Sequence, residues 1–232
     1  MSQIGGPMRA RPLHFFLLLD CSSSMNVGGK IQALNAAIAE ALPIMRAEAE
    51  KNPQAEVLVR VITFSTGASW HVAEPTPIAS FVWNDVAAGG DTHLGAALAL
   101  VSEALRIPPM PERALPPVLV LISDGRPTDR EFPARLDELL ALPWGRRSVR
   151  IAIAIGRDAD EEILRSFIGA GGGTRPLQAN SPEDLADLVR WTATVVLREA
   201  SQPAVGHGTA TGPLAKPPPP NDLLVWGEDV TR

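Results

Sequence analysis

Leu13-His14-Phe15-Phe16-Leu17-Leu18-Leu19-Asp20-Cys21-Ser22-Ser23-Ser24-Met25 decides how the chain is to be read. An unbroken apolar run that stops at an acid and then at hydroxyls has the form of a strand covered on both faces. Such a strand delivers polar groups to its C-terminal end, and in open parallel α/β sheets ligands sit outside that end. Asp20, Ser22 and Ser24 alternate, so an extended or looping segment turns three oxygen-bearing side chains toward one point. Hard divalent cations take oxygen ligands of this kind. Mg2+ is the first expectation, with Mn2+ or Ca2+ as alternatives.

Outward from this stretch, apolar residues at Ile31, Leu34, Ala37, Ile38, Ala41, Leu42 and Met45 follow helical spacing and predict a helix from Lys30 to Glu50, ended by Asn52-Pro53. Val57, Val59, Val61 and Ile62 predict a strand over Glu56–Phe64. The turn Ser65-Thr66-Gly67 leads into a shorter run, Ala68–Ala73. So tight a turn makes the two strands antiparallel, because parallel neighbours need a crossover, and Ala68–Ala73 is expected at the sheet edge. A helix over Leu94–Leu105 precedes a second continuous apolar run, Val118–Ile122, which stops at Ser123-Asp124-Gly125. Then come a helix over Glu131–Ala141, a strand Val149–Ile155, a helix Asp160–Phe167, a weak strand Arg175–Ala179 and a helix Pro182–Arg198. Ser181 followed by Pro182, Glu183 and Asp184 is the start signal of the last one. Buried strands alternating with helices predict an α/β fold: a doubly wound, mostly parallel sheet with one antiparallel edge strand and helices on both faces.

The 232 residues accommodate a leader (1–12), one domain (13–200) and a tail (201–232). A net charge of −5 without a dense Lys/Arg cluster argues against a nucleic-acid partner. One cysteine excludes an internal disulfide and fits a reducing compartment. No segment has the apolar length of a membrane span. Arg9 and Arg11 ahead of the apolar run imitate a lipoprotein signal, but the run is short and Asp20 stands where a cleavage site wants a small residue, so a cytoplasmic protein is expected. From Pro203 to Pro220, half of the 18 residues are Pro or Gly and only Lys216 is charged, the composition of a linker with a polyproline end. Beyond it, Trp226 sits in an apolar patch expected to dock on its own domain or on a partner.

Two predicted strands end in acids, Asp20 and Asp124, and a doubly wound sheet makes the first strand a neighbour of the one across its switch point. The loop Gly89-Gly90-Asp91-Thr92 precedes a helix and reaches the same edge. Asp20, Ser22, Ser24, Thr92 and Asp124 thus form a candidate metal shell of two carboxylates and three hydroxyls. So few acids leave a divalent cation undercompensated and open to a carboxylate from another molecule. The neighbouring residues carry plainer expectations. Ser23 bonds to backbone, Cys21 fills the core, Asp91 forms a turn, and Asp129 caps the helix near Glu131. His14 is expected as a satisfied core histidine, His93 as helix-start surface, and Trp70 and Trp83 as packing.

Asp20-x-Ser22-x-Ser24, then Thr92, then Ser123-Asp124-Gly125 resemble the metal-ion-dependent adhesion site of von Willebrand factor A domains, and the strand order from Leu13 to Arg198 is similar to that fold. Within that superfamily the phrases Ile62-Thr63-Phe64, Thr92-His93-Leu94-Gly95-Ala96-Ala97-Leu98 and Ser123-Asp124-Gly125-Arg126-Pro127-Thr128-Asp129 are similar to bacterial TerY-type proteins. So is the Pro217–Pro220 run followed by Trp226. That family is associated with tellurite-resistance loci and with a partner protein kinase and protein phosphatase. The resemblance implies a metal-dependent protein-protein interaction module in phospho-signalling, not an enzyme. Cys21 and Ser23 depart from its usual Gly or Thr neighbours, and Asp91 stands where glycine is usual.

The alternative is a phosphoryl-transfer enzyme of the haloacid-dehalogenase type with Asp20 as nucleophile. It needs a second acid where Ser22 stands and a phosphate-binding lysine, and Lys30 is the only lysine near the site. Neither a Gly-x-Ser-x-Gly elbow nor a Walker-type phosphate loop is present, and neither His71 nor His207 lies where a triad base is expected. A scaffold that has lost its metal is a third reading, against which the intact ligand set argues.

Overall fold

β1 (Arg11–Asp20) lies at the centre of the sheet in this computed structural model, which describes residues 10–169, 175–200, 216–219 and 226. It pairs in parallel with β2 (Ala55–Ser65) on one side and β4 (Val118–Ser123) on the other. β3 (Gly67–Pro77) runs antiparallel beyond β2, while β5 (Val149–Ile155) and β6 (Leu177–Ala179) continue in parallel beyond β4. The order β3-β2-β1-β4-β5-β6 reverses its winding between β1 and β4. A crevice opens at such a switch point, at the carboxyl ends of the two strands.

The unbroken apolar runs follow from a sheet covered on both sides. Leu13, Phe15, Leu17 and Leu19 of β1 enter one core, beneath α1 (Lys30–Glu50) and α6 (Pro182–Trp191). Phe16 and Leu18 enter the other, beneath α2 (Leu94–Ala104), α3 (Phe132–Ala141), α4 (Pro143–Arg147) and α5 (Glu161–Ile168). β5 divides its side chains unequally: Ile151, Ile153 and Ile155 fill the first core, and only Ala152 and Ala154 face the second, which holds Leu164 and Phe167 of α5. Each fully buried Leu, Ile or Phe contributes roughly 2 kcal/mol. The alternation along β1 therefore fixes the strand's register against both helix layers.

Where the structure departs from expectation, the causes are local. Arg11 and Pro12 belong to β1 rather than to a leader: Arg11 N–H donates to Gln54 O (2.8 Å), and the Arg11 guanidinium donates to Arg113 O and Ala114 O. β3 reaches Pro77, beyond the expected Ala73, because pairing with β2 resumes after an irregularity near Val61 and ends at Leu58 opposite Pro77. Pro75 and Pro77 are tolerated on a strand at the sheet edge. Residues 23–29 form a kinked 3-10 segment, and Gly28 and Gly29 there adopt positive φ values of 62° and 73°. Pro143 starts the short α4 at its first turn. The last helix is interrupted by a π turn, Thr192–Val196, before α7 (Leu197–Ala200). There the Thr192 and Thr194 hydroxyls donate to Leu188 O and Arg190 O, four residues back.

Ser181 caps α6 by accepting from Asp184 N–H, as its sequence context predicts. Asp129 caps a different helix from the one expected. Its Oδ2 accepts from Ala96 N–H in the first turn of α2, and Glu131 precedes α3 with no side-chain cap bond. His14 is buried in the core but not satisfied, since neither ring nitrogen has a hydrogen-bond partner. The Trp226 indole N–H donates to Ala179 O (3.0 Å) and its ring packs on the first core of its own domain. The expected leader up to residue 9 and the linker 203–220, apart from residues 216–219, lie outside the described residues. Among the described residues no helix is long and apolar enough to cross a membrane.

Candidate metal centre

Asp20 is the last residue of β1 and Asp124 directly follows β4; with Leu19 opposite Ile122, the two acids leave adjacent strand ends. Ser22 and Ser24 belong to the turn that carries the chain from β1 toward α1, and Thr92 comes from the loop before α2. That loop is tied to the first by backbone. Gly89 N–H donates to Cys21 O (2.7 Å), and both the N–H and the hydroxyl of Ser23 donate to Gly90 O (3.0 and 2.9 Å). Farther back, Asn35 of α1 bonds both backbone groups of Val86 through its side-chain amide. Gly90 has φ +85°, and a Cβ there would come within 2.6 Å of Thr66 Oγ1, so the close approach needs glycine. Ser23, as expected, bonds to backbone and leaves Ser22 and Ser24 to face the crevice.

Hydrogen bonds join the side chains across the switch point. Asp20 is fully buried; its Oδ1 accepts from Ser22 N–H (2.9 Å) and its Oδ2 from the Ser123 hydroxyl (2.6 Å). Ser22 Oγ and Ser24 Oγ share a hydrogen bond (2.9 Å), and the Ser24 hydroxyl donates to Asp124 Oδ1 (2.7 Å). Thr92 is held by Thr128, whose Oγ1 accepts the Thr92 N–H, while Thr128 N–H donates to Thr92 O. A Cβ on Gly125 would meet Ser24 Oγ at 3.8 Å and Thr92 Oγ1 at 3.9 Å, so both hydroxyls converge on the space that this glycine leaves open. The five residues singled out from sequence are therefore gathered at one edge of the sheet.

Electrostatics favour a cation here. Burial away from water pushes the Asp20 carboxyl above the ordinary carboxylate range. The hydrogen bonds from Ser123 and Ser22 oppose that push, and the charge of Asp124 adds to it. A second carboxylate near enough to act on the first is tolerable only with positive charge close by. Part of that charge is Lys30, whose ammonium donates to Asp124 Oδ2 at 2.7 Å. A donor set of two carboxylates and three hydroxyls fits a hard divalent cation by its chemistry. Among the described residues no group of three or more His, Cys, Asp or Glu side chains is placed to hold a metal.

Three contributors carry no sequence signal of their own: Ser123, which bonds Asp20; Thr128, which fixes Thr92; and Lys30, which bonds Asp124. Ser123 and Thr128 lie inside the quoted Ser123–Asp129 phrase, but nothing local says which partner each will meet. Cys21 is buried, and burial, reinforced by Asp20, pushes its thiol up to about 12, which makes it inert core packing.

Residues 15–126 match the family model of the von Willebrand factor type A domain. No curated protein matches the chain. Among solved structures, the ArnB paralog VWA2 from Sulfolobus acidocaldarius superposes with a TM-score of 0.58 at 20% identity, over 79% of this chain and 46% of that one. A von Willebrand factor type A protein from Catenulispora acidiphila gives 0.58 at 17% identity, over 82% and 43%. Proximal thread matrix protein 1 from the mussel byssus, solved with a zinc-occupied MIDAS motif, gives 0.58 at 18% identity, over 83% and 48%. This chain spans less than half the length of each of the three. The fold of this chain is that of a von Willebrand factor type A domain.

Proposed function

We propose that this chain is a metal-dependent protein-interaction module. Asp20, Ser22, Ser24, Thr92 and Asp124 hold a divalent cation, Mg2+ before Mn2+ or Ca2+, and a Glu or Asp of another protein completes its coordination. The observation that carries this reading is the linkage at the switch point: Ser22 N–H bonds Asp20, Ser22 bonds Ser24, Ser24 bonds Asp124, and the Ser24 and Thr92 hydroxyls both border Gly125. The zinc-occupied MIDAS motif of the mussel protein, which shares the fold, supports it. A cation held there supplies a Lewis-acidic centre with a position left for an outside carboxylate. The chain's own residues do the rest. Asp20 and Asp124 neutralise charge, Ser24 and Ser22 orient oxygens, and Thr128 fixes Thr92.

The finer setting we propose is TerY-like and non-enzymatic: a cytoplasmic protein of a bacterial stress system of the tellurite-resistance type, whose partners are a protein kinase and a protein phosphatase. The shared sequence phrases around Thr92 and Ser123 support this. Against the rival role of Asp20 as a phosphoryl nucleophile, Ser22 stands where that chemistry needs a second acid.

Calorimetric titration with Mg2+ or Mn2+ tests the module. The wild-type chain binds a divalent cation, and Asp20→Ala abolishes binding while the far-ultraviolet circular dichroism is retained. Absence of binding at millimolar cation removes the reading. Partner capture with and without chelator tests the carboxylate contact. Hydrolysis of a phosphomonoester that Asp20→Asn abolishes would restore the enzyme reading.

A further inference from the structure

Lys30, the first residue of α1, is a cation placed inside a cation site. Its side chain is 7% exposed, that of its partner Asp124 is 0% exposed, and they meet at 2.7 Å. The pairs Lys51–Glu48, Arg126–Asp160 and Arg135–Glu131, by contrast, each have a partner more than half exposed to solvent. Buried pairs gain little net stability over apolar packing, so this one invites a functional account. The carboxylate it occupies is one that a divalent cation needs: Asp124 offers Oδ1 to Ser24 and Oδ2 to Lys30.

A second acid stands beside the lysine. Gly156, just past β5, has φ +83°, and a Cβ there would come within 2.7 Å of Asp158 Oδ1 and 3.6 Å of Lys30 Nζ. The ammonium and the exposed Asp158 carboxylate thus border the same glycine, and the missing side chain leaves a path between them. From this geometry we infer that Lys30 is an internal competitor of the divalent cation. It neutralises Asp124 and moves toward Asp158 when a cation takes the Asp124 carboxylate. This role rests on the metal reading above and adds its regulation. Lys30 weakens cation binding, and an arriving partner carboxylate offsets the crowded positive charge. Cation and partner therefore strengthen each other's binding reciprocally.

The opposing account makes Lys30 a simple orienting donor to a ligand carboxylate, whose loss usually costs 10–100-fold in metal affinity. Two cations sharing one buried carboxylate repel strongly, because charge interactions at a few ångströms grow as water is excluded. The two accounts predict opposite signs. Titration of the full chain with MnCl2 gives Lys30→Gln an affinity about tenfold higher than wild type if charge repulsion dominates. Equal or weaker binding overturns the competitor role.

Removing a buried acid's partner puts the fold at risk, so a second measurement uses the wild-type protein. The nitrogen-15 signal of the Lys30 ammonium, shielded from solvent while bonded to Asp124, is followed as MgCl2 is added. The expected result is a shift or loss of that signal at saturation. A signal unchanged while calorimetry shows the cation bound removes the competitor role alone. A wild-type chain that binds no divalent cation removes this role together with the metal reading.

Discussion

The second core contains a buried histidine whose titration should be visible in the stability of the whole fold. His14 of β1 is 6% exposed, neither of its ring nitrogens has a partner, and its ring stacks on Phe16 with centroids 6.2 Å apart. The charged group facing it is Arg60 of β2, whose guanidinium lies over the rings of Phe16 (5.5 Å) and Trp70 of β3 (3.9 Å). Burial first, and the Arg60 charge second, lower the His14 pKa from 6.5 to about 4. Between those values the unfolded chain carries a proton at this position and the folded chain does not. Stability contributed by neutral His14 is therefore present above 6.5, falls as the pH drops toward 4, and is flat below. At about 1.4 kcal/mol per pH unit across the window, the loss is roughly 3 kcal/mol. Asp20, whose pKa is raised, runs the other way and favours the fold as the pH falls, so the wild-type curve alone does not isolate the histidine. Urea unfolding of wild type and His14→Leu at pH 7.5 and pH 4 does. Leucine removes two unpaired buried nitrogens and stabilises by about 1–3 kcal/mol at pH 7.5. That advantage should grow by roughly 3 kcal/mol at pH 4. An advantage of the same size at both pH values would refute the claim that His14 is held neutral.

Two further perturbations probe the frame around the site. Arg150 of β5 donates from Nε to Phe167 O (2.8 Å), from Nη2 to Ile168 O (3.1 Å) and from Nη1 to Gly145 O (3.1 Å), closing the end of α5. Arg150→Ala takes the guanidinium from the Phe167 and Ile168 carbonyls, while Gly145 O keeps the N–H and hydroxyl of Ser148, and should cost about 2–3 kcal/mol in chemical denaturation; a cost below about 1 kcal/mol contradicts this. Trp226→Ala removes the bond to Ala179 O and part of the ring's packing, and should lower the stability by about 1–2 kcal/mol, read as a fall of a few degrees in Tm. An unchanged Tm would show that the tail gains nothing from resting on its own domain.

Features set by local pattern were legible before the fold was known. The helix Lys30–Glu50 and the strand Val149–Ile155 have the same bounds in the structure as in the sequence reading, because apolar period and Gly or Pro punctuation are properties of a single segment. The candidate ligands were legible for a related reason. Apolar runs ending in Asp20 and Asp124 signal buried strands that carry acids to one edge, and the doubly wound order makes those strands neighbours. The π turn at Thr192–Val196 depends on hydroxyls donating back along the helix, which an apolar period does not encode.

By itself, then, the sequence determined the α/β class, the edge strand after Gly67 and the set Asp20, Ser22, Ser24, Thr92 and Asp124 as candidates. Only the tertiary structure decided the partners. Asp129 holds α2 instead of α3, His14 goes unpaired, Trp226 rests on Ala179, and Lys30 meets Asp124 across 94 positions of chain. Periodicity says which face of an element is buried. Which side chain waits on the other side is set by how the layers pack, to within the few tenths of an ångström that separate a hydrogen bond from a miss.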